Sequence, residues 1–404
     1  MTKPLRHKII PALTAATCAA ALLSVPAVAA AAPGRGPLLS AVPVQSLDQA
    51  GVRATLDATP FGSATARYGV DAYRVTYRTT DVRDRPTTAS GLVVLPRTTS
   101  PRTAVYEHGT RSNRADVASV QEDLQDRQAG LVLGAAGYVA VLPDYLGLGT
   151  GPGFHPYLDS RTEASATLDL LRAARTLTAD RGKRFDPRVF VSGFSQGGQA
   201  AMAVGEALQG DPGSGFRLAA LAPVSGPYDA RGAELPGIFD GRVAPDVAVF
   251  YLSYWTVSMN RLFPLYRNAS EVFRAPYDQY AESLFDGSHS EEDIFPRLAA
   301  TPAAMFTDSY LNRVRHLSGP LLDAARDSDG TCSAWRPRVP VRLFASAADT
   351  QVPIANSLNC QRDLRAHGVD APLTRLGSAE HLDTPGVALP QIVPWFDSLP
   401  AGPR

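Results

Sequence analysis

The chain has 404 residues, of which 45% are hydrophobic, so it is long and apolar enough to bury a large core. Its 39 basic residues balance 39 acidic ones, the formal net charge is zero, and no block of basic residues occurs. This balance argues against nucleic acid or an anionic membrane surface as a partner.

The first 32 residues have the pattern of a secretion signal. Three basic residues precede an apolar stretch over 9–25, and the small residues that cleavage requires follow it. A membrane anchor is the alternative, but the apolar stretch is short for a bilayer span. We therefore expect residues 1–32 to be removed from a secreted protein that keeps no stable membrane anchor.

The rest of the chain divides by its pattern into an arm and a sheet-containing core. Residues 33–65 are rich in Pro, Ala and Gly with weak periodicity, which predicts an extended arm over the surface. The core covers 66–226 and 339–404. Its predicted strands are 68–77, 90–95, 104–106, 138–142, 188–192, 218–224, 341–345 and 372–376, and its helices include 162–177, 198–205, 354–367 and 387–396.

Strands and helices alternate from Thr103 onwards, after an antiparallel pair that opens the sheet. Such alternation predicts an α/β fold with a mostly parallel central sheet and helices on both faces. In sheets of this kind ligands bind beyond the carboxyl ends of the strands. The polar residues considered below all follow predicted strands.

Residues 227–338 interrupt the alternation and form a predicted helical insertion. Apolar and aromatic residues recur at helical spacing over 246–263, 290–293 has the pattern of a capping box, and Thr301 precedes a proline that suits the first helical position. Core packing accounts for most of the aromatic residues. An insertion of this size nevertheless predicts a lid over the active site, and its aromatic density favours an apolar substrate.

The motif Gly193-Phe194-Ser195-Gln196-Gly197 lies between a predicted strand and a predicted helix of small residues. A G-x-S-x-G sequence in that context is the nucleophile elbow, a sharp turn that exposes the serine above the sheet. An ordinary Ser/Gly turn is the alternative, and the matching flanks argue against it. Ser195 is therefore the candidate nucleophile.

A serine nucleophile needs a base and an acid that orients the base, and in this fold the chain order is Ser, acid, His. His381 lies in the loop after the last strand, and Asp349 follows the strand before it. Asp349 could instead cap the next helix, but its position after the strand favours catalysis.

An oxyanion hole requires two N–H groups directed at one oxygen. Gln196 supplies the first, and the loop His108-Gly109-Thr110 after an early strand supplies the second. Thr110 is the expected donor and Gly109 allows close approach of the backbone, but the sequence does not decide between the two. We expect His108 to brace this loop.

A glycine-rich loop, 143–149, and the segment after it also leave the end of a strand and are expected to line the pocket. His108, Asp144, Tyr145, Phe194 and His155 are the candidate pocket residues. Hydrogen bonds that hold the loop in shape are the competing explanation for Asp144 and His155.

Two cysteines remain after the predicted signal, Cys332 and Cys360. An even pair in an exported protein favours a disulfide, with two free thiols as the alternative. Neither has His or Cys neighbours at the spacing of metal ligands, so no metal site is expected.

These motifs together resemble an α/β-hydrolase and, more narrowly, the secretory lipase family. The resemblance rests on 143–149, the elbow at 193–198, the segment 349–353 and His381, and it spans roughly 100–390. It implies a catalytic triad, a helical lid, no cofactor, and hydrolysis of carboxylic esters, with a small ester or lipid as substrate. The loop at His108 departs from fungal members, so acyl-chain preference does not carry over.

Two other functions remain open at this point. A secreted serine peptidase on the same fold would need carboxylates in the lid to hold a substrate amine, and Glu271, Glu282 or Asp286 could serve. A binding protein that has lost catalysis is disfavoured because all triad positions are filled. The sequence gives no oligomeric state.

Overall fold

A computed structural model describes Met1 and residues 35–400, and the predicted signal peptide, Met1 apart, lies outside the described residues. The described part contains nine strands in one sheet. In chain order they are β1 (Leu38–Leu47), β2 (Val70–Thr80), β3 (Pro86–Pro96), β4 (Arg102–Glu107), β5 (Tyr138–Pro143), β6 (Arg188–Phe194), β7 (Arg217–Val224), β8 (Leu343–Ala345) and β9 (Leu373–Arg375).

The strand order across the sheet is β1-β2-β3-β5-β4-β6-β7-β8-β9. The first three strands pair antiparallel, and β3 also pairs antiparallel with β5. From β5 to β9 all pairs are parallel, which confirms the predicted mostly parallel sheet. The carboxyl ends of β4, β6 and β8 therefore meet at one edge of the sheet.

Helices cover both faces of the sheet, and further helices lie between β7 and β8. The α-helices of the described residues are α1 (Gln49–Asp57), α2 (Gln125–Ala135), α3 (Ser160–Asp180), α4 (Gln196–Gly210), α5 (Leu235–Asp240), α6 (Pro245–Asn260), α7 (Ala281–Leu284), α8 (Glu291–Ile294), α9 (Pro302–Met305), α10 (Asp308–Arg315), α11 (Gly319–Ser328), α12 (Ala355–Ala366) and α13 (Thr384–Ser398). Apolar residues of α3, α4 and α12 pack on one face, and those of α1, α2 and α13 pack on the other.

The extended arm predicted over 33–65 needs correction. Most of it forms the edge strand β1 and the helix α1, which Asp48 caps by accepting a hydrogen bond of 2.7 Å from the N–H of Gly51. The strand was missed because no residue of β1 is fully buried. An edge strand that is exposed on much of its surface lacks the apolar alternation by which strands are recognised.

We call the residues between β7 and β8, 225–342, the cap. Helices α5 to α11 lie in it and share an apolar cluster of their own. The predicted caps are present: Ser290 and Asp293 form a capping box at α8, and Thr301 caps α9 with a proline at the first helical position. No helix among residues 35–400 is long and apolar enough to cross a bilayer.

The predicted disulfide joins Cys332 in the cap to Cys360 in α12, 28 residues apart in sequence. Both half-cystines are buried, and they belong to the cluster beneath α4 and α12. The crosslink therefore ties the end of the cap to the sheet-covering layer.

Replacing both cysteines, Cys332→Ser with Cys360→Ser, is expected to lower the free energy of unfolding by about 3 kcal/mol. The crosslink restricts the unfolded chain, and its loss restores that freedom. Urea unfolding of the oxidised wild type and of the double variant measures the difference. A difference below about 1 kcal/mol would contradict the expectation. Unfolding of the wild type under reducing conditions is the matched control, and it should resemble the double variant.

Candidate active site

The turn between β6 and α4 holds Ser195 in a left-handed backbone conformation, with φ 56° and ψ −122°. Glycine is required on both sides of the serine. A Cβ on Gly193 would lie 2.1 Å from the carbonyl oxygen of Gly197, and one on Gly197 would lie 2.0 Å from that of Glu107. The backbones of the elbow and of β4 thus pack directly against each other, and Ser195 stands at the carboxyl ends of the strands.

A chain of hydrogen bonds links the three residues predicted as the triad. Ser195 Oγ lies 2.9 Å from His381 Nε2, and His381 Nδ1 lies 2.6 Å from Asp349 Oδ2. All three residues are buried. Because a carboxylate accepts hydrogen bonds, Nδ1 carries the proton and Nε2 is left to accept from the serine hydroxyl.

Asp349 is oriented by its own loop before it meets His381. Its Oδ1 accepts hydrogen bonds from the N–H groups of Gln351 (2.9 Å) and Val352 (2.8 Å). Helix α12 begins only at Ala355, so Asp349 is not its N-cap. The carboxylate therefore has one oxygen fixed by the backbone and the other directed at the imidazole.

The predicted oxyanion donors lie beside Ser195. Gln196 directly follows the serine as the first residue of α4. The loop that contains Gly109 packs on the elbow so closely that a Cβ added to Gly109 would lie 3.5 Å from Ser195 Cβ. Within the described part of the chain, the N–H groups of Gln196 and Thr110 form no backbone hydrogen bond. The Thr110 hydroxyl is paired with the Tyr157 hydroxyl at 3.0 Å.

The side chain of Gln196 is clamped beneath the elbow. Its Nε2 donates to Glu163 Oε1 (2.7 Å) and lies 3.0 Å from His155 Nε2. Burial lowers the pKa of His155 to about 3, so the ring is neutral: Nδ1 donates to the carbonyl of Leu146 and Nε2 accepts from the amide. Burial also raises the pKa of Glu163 well above its usual range. These contacts fix the side chain of the residue that directly follows Ser195.

The loop residues predicted to line the pocket are mostly behind its wall, which corrects that prediction. Two pockets meet at Ser195, one apolar and one polar. Phe194 lines the polar pocket, whereas neither pocket is lined by His108, Asp144, Tyr145 or His155. His108 Nδ1 bonds the carbonyl of Gly109 at 2.6 Å, so it braces the loop as expected.

Asp144 shows why the glycine-rich loop needs polar residues. Its Oδ2 accepts hydrogen bonds of 2.6 Å from the hydroxyls of both Ser90 and Ser119. Tyr145, Gly147 and Gly149 all have positive φ. The tightly folded loop leaves the Asp144 carboxyl group pointing inwards, where the two serine hydroxyls satisfy one of its oxygens.

Two pockets meet at Ser195. The apolar pocket lies between the elbow and the cap. Its wall comprises Tyr157, Leu158, Ser195, Pro227, Ala230, Glu234, Leu235, Ile238, Tyr251, Leu252, Trp255, Ser328 and Val352.

The polar pocket reaches Ser195 and His381 from another side. Charged and amide side chains contribute much of its wall: Arg111, Gln125, Asp246, Glu291 and Gln351. Burial raises the pKa of Glu291, and Arg111 pairs with the buried Asp126. The described residues contain no cluster of three or more His, Cys, Asp or Glu side chains that could hold a metal ion.

Sequence reasoning missed several residues of this site. Glu234 and Glu163 come from segments without a motif, and the contacts that define them are long-range. Tyr157, by contrast, lies in the segment after the glycine-rich loop that was expected to line the pocket, and it lines the apolar one. Tyr251 and Trp255 belong to the aromatic stretch of α6 that was attributed to core packing, yet they also line the apolar pocket. Their helical spacing was the available signal, but it does not distinguish a pocket wall from a core.

The sheet order, the strand–serine–helix turn and the Asp349–His381–Ser195 chain define the class of protein as an α/β-hydrolase. Solved structures of low identity agree on the fold. A Legionella pneumophila protein of 24% identity superposes with a TM-score of 0.83, covering 91% of this chain and 99% of that one. Candida antarctica lipase A, at 13% identity, gives a TM-score of 0.60, covering 86% and 78%.

The chain belongs to the secretory lipase family. The family model for secretory lipase matches residues 114–213, which include the elbow. A single-residue variant of the rice cell wall degrading esterase LipA from Xanthomonas oryzae is 30% identical, with a TM-score of 0.78, and 91% of this chain and 99% of that chain are covered. A comparison with curated protein sequences finds no match.

Proposed function

We propose that the protein is a secreted serine esterase that hydrolyses carboxylic esters through an acyl-enzyme. The observation that carries the proposal is the hydrogen-bonded chain from Asp349 through His381 to Ser195. Membership of the secretory lipase family and the similarity to an esterase support the ester substrate. The predicted signal peptide and the disulfide support secretion.

In the proposed reaction Ser195 Oγ attacks the ester carbonyl carbon while His381 Nε2 takes the hydroxyl proton. Asp349 stabilises the imidazolium that forms. The N–H groups of Gln196 and Thr110 donate to the oxyanion of the tetrahedral intermediate. When the intermediate collapses, the C–O bond to the alcohol breaks and His381 returns the proton to the leaving oxygen. Water then attacks the acyl-enzyme by the same steps, releasing the acid.

The two pockets suggest how the halves of the ester bind. The apolar pocket suits the acyl chain, since burying alkyl groups against Leu235, Ile238 and Leu252 is favourable. The polar pocket suits the alcohol part. The cap contributes to both walls, and we propose that residues 227–338 act as the lid, with 66–226 and 339–404 as the hydrolase core.

The peptidase alternative has no support from the three cap carboxylates considered for it. Glu271, Glu282 and Asp286 line neither pocket at Ser195. Each has a local partner instead: Glu271 closes a capping box, Glu282 accepts from Tyr266, and Asp286 accepts from Ser288.

Hydrolysis of p-nitrophenyl esters from acetate to laurate, beside p-nitroanilides of the same acids, tests the proposal on the mature protein. We expect ester turnover that a fluorophosphonate abolishes by reacting with the serine, and slower turnover of the anilides. Folded protein that cleaves the anilides faster would favour the peptidase. Folded protein that cleaves neither and resists the fluorophosphonate would favour a binding protein.

A further inference from the structure

One residue with a carboxyl group, Glu234, lines the mostly apolar pocket beside the nucleophile. Glu234 ends a π-helical turn, Ala230–Glu234, that leads directly into α5. Its neighbours in the pocket wall include Leu235, Ile238 and Val352. A carboxyl group among alkyl side chains is costly unless its hydrogen bonds are made.

The other polar side chains of this wall have partners within the protein. Ser195 pairs with His381, the Tyr157 hydroxyl with Thr110, the Tyr251 hydroxyl with Gln351, and Trp255 Nε1 with Ser328. These groups are therefore occupied when the pocket is empty. Among the described residues of the wall, Glu234 differs in that only one of its two carboxyl oxygens has a partner.

Glu234 makes only half of the hydrogen bonds available to it. Its Oε2 accepts from Asn356 Nδ2 at 2.8 Å, and Asn356 is itself fixed because its Oδ1 accepts from the N–H of Asp229. Within the described part of the chain, Oε1 has no hydrogen-bond partner. One oxygen of the carboxyl group is thus held, and the other is free to meet a ligand.

The charges around Glu234 favour its neutral form. Burial is the main cause that raises the pKa of Glu234 to about 8; the hydrogen bond from Asn356 and the Arg242 guanidinium oppose the rise, and the nearby carboxylate of Asp349 adds to it. The raised pKa favours the carboxylic acid form at neutral pH. With Oε2 accepting from Asn356, the acid proton on Oε1 is available for donation.

We propose that Glu234 is a specificity-determining residue that hydrogen-bonds an uncharged oxygen on the acyl chain, so that the preferred acyl groups carry a hydroxyl or keto oxygen. The inference rests on the proposed function. A plain alkyl chain would cover Glu234 Oε1 without forming a hydrogen bond to it. A hydroxylated chain would instead form that hydrogen bond, which satisfies both Oε1 and the hydroxyl group of the chain. Sites built around a hydrogen bond reject analogues that lack the partner.

Ethyl esters of hexanoic acid and of its hydroxy derivatives, with the hydroxyl moved along the chain one carbon at a time, test this inference in a pH-stat at pH 7. The measured quantity is the ratio of kcat/KM for the hydroxy ester to that for the plain ester. The variants are Glu234→Leu, Glu234→Gln and, as a control, Asp323→Leu, which changes an exposed carboxylate of the cap. Fluorophosphonate titration counts the folded active sites of each.

For one hydroxyl position we expect a wild-type ratio above one that falls about tenfold in Glu234→Leu. Glu234→Gln should keep the ratio, since an amide also donates from that position, and Asp323→Leu should match the wild type. An unchanged ratio in Glu234→Leu at every position would overturn the inference while the proposed function stands. A wild-type preference for an amino-substituted ester would also overturn it. Failure of the wild type on every ester would overturn both.

Discussion

Ser195→Ala is expected to lose ester hydrolysis by at least about a thousandfold in kcat/KM. The variant keeps the pockets and the oxyanion donors, but it has no oxygen that can form the acyl-enzyme. Among the described residues Ser195 Oγ has one hydrogen-bond partner, His381 Nε2, so its removal leaves the imidazole in place and has little cost to folding. A thousandfold corresponds to about 4 kcal/mol of transition-state stabilisation.

Initial rates on p-nitrophenyl butyrate, with thermal unfolding of each protein, measure the effect. Ser253→Ala is the matched control: this serine is buried in α6, and its hydroxyl has no hydrogen-bond partner among the described residues. It should keep wild-type activity. Retention of a tenth of the activity by Ser195→Ala would be incompatible with Ser195 as the nucleophile.

Asp349→Asn is expected to lower kcat by about ten-thousandfold. The N–H groups of Gln351 and Val352 would hold the amide oxygen where Oδ1 now lies, which turns the NH₂ group towards His381 Nδ1. A donor facing Nδ1 forces the ring proton onto Nε2. The ring then cannot accept the proton of Ser195, although the shape of the site is kept.

The pH–rate profile and the fluorophosphonate labelling rate of Asp349→Asn report this defect directly. The rate of ester hydrolysis and the rate of fluorophosphonate labelling should fall together, because both reactions require Ser195 to lose its proton. Asp383→Asn is the control, since Asp383 is exposed and lies only two residues from His381 in sequence. An equal loss in the two variants, or a loss below tenfold in Asp349→Asn, would show that Asp349 does not orient the base.

The core of the site could be predicted from sequence because its residues follow strand ends. Gly193, Ser195 and Gly197 lie within five residues, and close backbone packing makes glycine obligatory at 193 and 197. Asp349 and His381 could be selected because chain order and strand position leave few candidates. The disulfide followed from the even number of cysteines left after the predicted signal, together with the export that this signal implies.

The walls of the pockets could not be predicted in the same way. Glu234 lies in a cap segment with no motif, and its partner Asn356 is 122 residues away. The clamp on Gln196 joins it to Glu163, 33 residues earlier in a helix whose pattern shows only that it packs on the sheet. Contacts of this kind depend on how the cap and α3 meet the elbow, which local periodicity does not encode.

The strand β1 was missed for a related reason. Its register with β2 is set by backbone pairing over Leu38↔Tyr77 to Leu47↔Val70, and its side chains are largely exposed. The backbone hydrogen bonds between β1 and β2 do not depend on the pattern of side chains, so this strand is difficult to predict from the sequence.

The meeting of two pockets at Ser195 has a consequence for the order of events in the proposed reaction. The pockets share only Ser195 and Tyr251 among their lining residues, so the two halves of an ester separate into different compartments once the C–O bond breaks. The alcohol can depart while the acyl group stays bound. Water and other alcohols then compete for the vacated space, and the chemical composition of the medium decides between hydrolysis and exchange of one alcohol for another.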